Sequence, residues 1–147
     1  GICLYGGYEN RKIKSNLSIK NVIKLKAKVL QIKIIKKNEF VGYNQTYRTK
    51  KSTTIAILGI GYADGISRKL SNKGKAFYKK KKFNIVGRVS MDSITIDITK
   101  YKTIIKKGIY MELINYNYDI EKMAKECETI SNEILTSISN RVKRNYI

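Results

Sequence analysis

The 147-residue chain has no histidine, no proline and only two cysteines, and its 11 acidic residues face 31 basic ones. Each shortage excludes something. Without histidine, proton transfer near neutral pH falls to another side chain, and the commonest metal ligand is missing. Cys3 and Cys127 match no metal or redox spacing, so no metal centre is expected. The sequence is compatible with one disulfide but does not require it, and a reducing, cytoplasmic setting suits two thiols better. No secretory signal is visible. The longest uncharged run, Ser52 to Ala63, falls well short of the roughly 20 residues that span a bilayer. A membrane connection would therefore need a segment upstream of this chain. The first residue is Gly1 rather than methionine, which reads as a processed chain or a fragment that starts within a fold.

What is abundant is equally informative. A net charge of +20 suits nucleic acid, an anionic membrane surface or an anionic cofactor. The count of 25 lysines, 24 isoleucines and 12 asparagines against 6 arginines has a plainer source as well, because AT-rich codons inflate the first three together. The lysines are spread along the chain, and the one run, Lys79 to Lys82, reads as a solvated hairpin tip. The length fits one domain with a real core.

Val22 to Lys36 alternates as a strand, with Ile23, Leu25, Ala27 and Val29 on one face and Lys24, Lys26 and Lys28 on the other. The phase then flips to Leu30, Ile32 and Ile34, which predicts a bulge near Val29 and Leu30. Thr53 to Ile60 reads as a strand buried on both faces. Gly61 and Gly65 flank a tight turn in GYADG, and SNKG at 71–74 is another turn. Short strands are expected near Ala76–Tyr78, Asn84–Val89, Ser93–Thr99 and Ile109–Ile114. The period then becomes helical, with Ile120, Met123, Ala124 and Cys127 on one face and Asp119 as the cap. A second short helix is expected with Ser131 as its cap, Glu133 in its first turn, and Ile134, Leu135 and Ile138 buried. These elements predict a mainly β domain, a Greek-key-like barrel closed by C-terminal helices.

Several short motifs follow one another: GICLYGGYE, VGYNQTYRTKKSTTIAILGIGYADG, LSNKG, NIVGRVSMDSITIDIT and CETISNEILTSISNRVKR. Singly each is an ordinary turn or strand. In this order they resemble the C-terminal domain of alanine racemase, a pyridoxal-phosphate-dependent enzyme, over nearly the whole chain. The resemblance implies a division into residues 1–15, the end and hinge of a cofactor-binding α/β barrel, and residues 16–147, the β domain. It implies a small amino-acid substrate and a head-to-tail homodimer in which the β domain of one subunit completes the active site of the other. No nucleic-acid partner is expected on this reading.

The resemblance also implies roles. Gly1 and Ile2 offer backbone amides to the cofactor phosphate, for which such groups are suited. Tyr43 of VGYNQT is the second catalytic base, opposite a barrel lysine. Tyr62 of GYADG lines the substrate entrance, and Met91 of SMD holds the substrate carboxylate through its backbone amide. Asp92, Arg68 and Arg144 match charged residues near that entrance. A tyrosine base explains how the family dispenses with histidine, although a phenol near pKa 10 needs roughly 4 kcal/mol of differential stabilisation to titrate near 7. Tyr47 reads as packing or a hydrogen-bond partner.

The sequence departs from the pattern in places. RVKR stands where the family has RVPR, and Ser90 where cysteine is common. Asn132, in TISNEI, is matched to a family tyrosine that touches both phosphate and substrate. An asparagine there leaves room and a hydrogen-bonding amide, which extends the expected substrates from alanine to serine. Two other readings stand beside this one: a basic β-barrel that binds nucleic acid through lysines and stacked tyrosines, and a non-catalytic remnant of a racemase.

Overall fold

Strand β1, Leu25–Ile35, is the spine of the molecule in the computed structural model, which describes residues 1–8 and 20–146. The division expected between residues 15 and 16 lies outside the described residues. Leu25, Ala27 and Val29 are buried while Lys26 and Lys28 face out. The register against the neighbouring strand slips between Val29 and Gln31, so the bulge falls where the phase flip put it. Beyond it, Leu30 is 47% and Ile34 72% exposed. Of the second apolar face, Ile32 is half-buried against the core, while Leu30 and Ile34 stay exposed among the described residues.

The remaining strands are β2 (Phe40–Val41), β3 (Tyr47–Arg48), β4 (Thr53–Leu58), β5 (Lys75–Tyr78), β6 (Lys81–Asn84), β7 (Ile94–Asp97) and β8 (Tyr110–Ile114). Five of them join β1 in an antiparallel sheet of order β6-β5-β8-β1-β4-β7, and β2 and β3 form a separate hairpin. The sheet curls until its two edges meet: Ile85, just past β6, bridges Ile96 of β7, and the Val86 N–H donates to the Thr95 carbonyl. The chain is mainly β with two C-terminal helices, as expected, and that contact joins its edges. The interior is filled by β4, buried along nearly its whole length, and by Ile94, Ile96 and Ile98 on one side of β7.

Helix α1, Ile120–Glu126, buries Ile120, Met123, Ala124 and the adjoining Cys127. Asp119 caps it, accepting from the Lys122 N–H at 2.9 Å, an arrangement worth about 1 kcal/mol. Helix α2, Ser131–Ser137, differs from expectation at its start. Ile130 occupies the cap position, and Ser131 is the first helical residue, its hydroxyl bonded to Glu121 of α1. The serine serves helix packing instead of capping. Cys3 is exposed and Cys127 buried, and both are free thiols.

The strand expected over 84–89 lies earlier, over Lys81–Asn84, and past it only Ile85 makes a single bridge, because the lysine run turns more tightly than its composition suggests. Tyr78 pairs with Lys81, leaving a two-residue loop of Lys79 and Lys80, both at positive φ (46° and 64°). That geometry matches the right-handed twist of a hairpin and favours Asn-Gly, while lysine is strained there. Replacing Lys79 with Asn and Lys80 with Gly should therefore stabilise the protein by about 1 kcal/mol, raising Tm by roughly 2–4 °C. A lowered Tm in the double variant would contradict this turn.

Candidate active site

Tyr43 sits on the loop joining β2 to β3, 69% exposed. The loop is nonetheless braced. Gly87, at φ +79°, lies so close under it that a Cβ there would be 2.5 Å from the Val41 carbonyl. Asn72 of the SNKG turn donates from its amide to Thr46 Oγ1 at 3.2 Å and accepts from the Gly87 N–H at 2.6 Å. Ser71 of the same turn accepts from the Val89 N–H. The segment Val86–Met91 thus runs from the Tyr43 loop to a second loop cluster.

In that cluster GYADG lies backbone to backbone on SMD. The Tyr62 N–H donates to the Ser90 carbonyl at 2.9 Å and the Ala63 N–H to the Met91 carbonyl at 3.0 Å. Gly61 is required by proximity: a Cβ would stand 2.3 Å from both the Ser90 and Met91 carbonyl oxygens. Asp64, almost buried, accepts from the Gly61 N–H at 2.8 Å. Tyr62 and Met91 remain about half exposed, and the Arg68 guanidinium stands over the Tyr62 ring at 5.9 Å. Asp92 pairs with Arg141 at 2.5 Å.

Tyr47 behaves differently from Tyr43. It packs with Val41, Ile55 and Val86. Burial first, and the Asp97 carboxylate second, push its phenol pKa up. That environment suits a packing residue and opposes a base.

Gly1, Ile2 and Asn132 meet elsewhere. They line one cleft of about 770 Å³ with Tyr5, Lys143 and Arg144, between the N-terminal turn, the start of β1 and α2. Tyr43, Tyr62 and Met91 are not part of it. Of the site residues read from sequence, the fold therefore brings Asn132 together with Gly1 and Ile2 and leaves Tyr43, Tyr62 and Met91 outside that cleft. Its donors, backbone amides with an asparagine amide, a lysine and an arginine, suit a dianionic phosphate.

Sequence reasoning missed Arg141. It pairs with Asp64 at 3.3 Å as well as with Asp92, and Asp92 foremost, then Asp64, push its guanidinium pKa up. Nearby, the Ser139 N–H donates to the Asp64 carbonyl, so this stretch lies against GYADG. Arg144, singled out instead, donates to the Ile138 carbonyl and Asn140 Oδ1 within its own segment. The first arginine of RVKR was legible as a charge, but only the fold supplies its two aspartates.

Among the described residues no three or more acidic or cysteine side chains gather as a metal site, and no helix is long and apolar enough to cross a membrane.

The sequence pattern of the alanine racemase C-terminal domain matches residues 22–146. The chain is 42% identical to alanine racemase of Brucella ovis over 161 aligned positions, covering all of this chain and 40% of that protein. It is 35% identical to alanine racemase 1 of Caldanaerobacter subterraneus, over 99% of this chain and 38% of the relative. The fold superposes on alanine racemase of Bartonella henselae, a structure with covalently bound pyridoxal phosphate, with a TM-score of 0.92 at 41% identity, covering 100% of this chain and 40% of that one. Biosynthetic alanine racemase from Pseudomonas aeruginosa gives 0.91 at 27% identity. The chain thus spans about two fifths of the length of the relatives it matches.

Proposed function

The chain belongs to the alanine racemase C-terminal domain family, and on that premise we propose that it is the β domain of an amino-acid racemase in which Tyr43 is the proton-transferring base. The observation that carries this reading is the braced, solvent-facing position of Tyr43, on a loop that the segment Val86–Met91 links to those of Tyr62 and Met91. An exposed phenol on a stiffened loop is available to a substrate held by another body, which is what a domain completing a neighbouring site requires.

Pyridoxal phosphate, when bound, supplies the electron sink that makes the α-proton of an amino acid removable. This chain's residues do the rest of what is assigned to them. Gly1, Ile2 and Asn132 hold the phosphate. Tyr62 and Met91 orient the amino acid, Met91 through its amide toward the carboxylate. Tyr43 Oη takes the α-proton from one face of one enantiomer, and in the reverse direction delivers a proton to that face; the group on the other face is a lysine of the cofactor barrel. That Tyr43, Tyr62 and Met91 lie outside the Gly1–Ile2–Asn132 cleft supports a homodimer in which each chain gives one set of residues to its own site and the other to its partner's.

Substrate choice is the finer part of the proposal. Asn132 in place of a tyrosine supports turnover of serine beside alanine. Asn140, exposed on the stretch held against GYADG, is a second asparagine positioned to matter. The protein that carries this chain, incubated in D2O with L-alanine or L-serine, should produce D-enantiomers labelled at the α-carbon. Asn132→Tyr should raise the alanine-to-serine ratio of kcat/KM by about tenfold, or about 1.4 kcal/mol, with Asn140→Tyr measured beside it. Absence of labelled D-alanine from cofactor-loaded protein would overturn the racemase reading. An unchanged ratio in Asn132→Tyr would remove that residue from specificity.

A further inference from the structure

We infer that Arg141 is a positioning residue whose guanidinium clasps the two loops that carry Tyr62 and Met91 and presents them as one substrate-facing surface. The inference rests on the racemase reading for its kinetic consequence but not for its structural one. Arg141 Nε lies 3.3 Å from Asp64 Oδ1, and Nη2 lies 2.5 Å from Asp92 Oδ1. Asp64 belongs to GYADG and Asp92 to SMD, so one side chain spans both loops from the C-terminal segment. The geometry needs a planar fork with separate nitrogens, which arginine has and lysine lacks.

Asp64 adds the reason the clasp matters. Its side chain is only 11% exposed and also ties the start of its own loop through the Gly61 N–H. The loop is further fastened to the C-terminal segment by the Ser139 N–H on the Asp64 carbonyl and the Ser137 hydroxyl on the Gly65 carbonyl. Without Arg141, two carboxylates on adjoining loops would share no cation, and one of them is nearly out of water. A buried charge that loses its partner is strongly destabilising locally. The two loops would separate, and the two backbone bonds between them, from Tyr62 to Ser90 and from Ala63 to Met91, would open.

Tyr43 is held by a different set of contacts, those of Gly87 and Asn72. Loss of Arg141 should therefore weaken substrate binding while leaving proton transfer by Tyr43 in place. In Arg141→Gln we expect KM for alanine to rise about tenfold with kcat within about threefold of wild type, and an unchanged cofactor absorption band. Amide exchange in peptides covering 61–65 and 90–93 should quicken about tenfold, with that of the Tyr43 loop unchanged. Arg141→Lys should fall between the two, since it keeps the charge and loses the span. Asp92→Asn should quicken exchange at 90–93, and adding it to Arg141→Gln should cause no further loss, because both remove the same contact.

Hydrogen exchange and steady-state kinetics on the full-length protein decide the matter. Unchanged exchange at 61–65 and 90–93 in Arg141→Gln would overturn the clasp. So would a fall in kcat with KM unaltered, which would place Arg141 in the chemical step. If Arg141→Gln does not fold, the exposed Asp92→Asn variant gives the same readout at 90–93. If wild-type protein fails to racemise any amino acid, the racemase reading fails, and the exchange comparison still settles the clasp.

Discussion

Replacing Tyr43 with phenylalanine is expected to cut racemisation by about 10²–10⁴-fold, the range of a lost general base, equivalent to roughly 3–5 kcal/mol in the barrier. The ring stays and only the hydroxyl goes. Because the side chain is 69% exposed, the fold should be indifferent to the change, and cofactor loading and substrate binding should persist. Exchange of the α-proton on the lysine face should survive better than full inversion, since only one of two proton carriers is missing. Tyr47→Phe is the matched comparison. Its phenol is held protonated by burial and by Asp97, so the substitution should leave turnover within a few-fold of wild type. Measuring racemisation and solvent-deuterium exchange from each enantiomer separates the cases. Wild-type-like racemisation by Tyr43→Phe in both directions would remove Tyr43 from the chemistry.

The largest structural effect is expected at Gly61. An alanine there places a methyl 2.3 Å from two carbonyl oxygens of the facing loop. Both are backbone atoms and neither can swing away as a side chain would. One loop must move, and the Tyr62 and Ala63 hydrogen bonds to Ser90 and Met91 go with it. Overpacking of this kind costs about 3 kcal/mol or more, and at this chain length each kcal/mol lowers Tm by roughly 2–4 °C. Gly61→Ala should thus melt about 10 °C lower and bind substrate poorly. Gly1→Ala, where a Cβ meets nothing within 4 Å, should melt with the wild type. A Gly61→Ala protein of unaltered Tm would mean that the two loops do not lie together as described.

The elements that sequence made legible are those whose burial follows a period. Ile94, Ile96 and Ile98 alternate and are all buried; Ile120, Met123, Ala124 and Cys127 repeat at helical spacing and are buried too. The bulge in β1 announced itself as a phase flip. Elements set by a single local choice were not legible. Strands β2 and β3 are two residues long and have no period to detect. The start of β6 depends on which two of four consecutive lysines make the turn. Ser131 looks like a cap and is instead the first residue of its helix, because its hydroxyl has Glu121 to bond. Leu30 and Ile34 were readable as apolar, but whether they are covered depends on what packs there in three dimensions, which the alternation does not record.

The site shows the same division. Tyr43, Tyr62 and Met91 lie in motifs that mark themselves by glycines, and the need for Gly61 is visible as a close approach of two backbones. Arg141 carries no local mark. Its importance comes from Asp64 and Asp92, 77 and 49 residues earlier in the chain, and only folding brings the three together. That Asn132 shares a cleft with Gly1 and Ile2 while Tyr43, Tyr62 and Met91 lie outside it is likewise a property of three dimensions.

Subunit mixing tests the central claim most directly. A Tyr43→Phe protein and a protein lacking the barrel's cofactor lysine should each be nearly inactive alone. If this chain supplies its tyrosine to a partner's site, every mixed dimer holds one intact site and one doubly damaged site. Equal mixing with free exchange makes half the dimers mixed, so about a quarter of wild-type activity should return. No recovery, once subunit exchange has been verified by mass spectrometry of tagged chains, would contradict a site built from two chains.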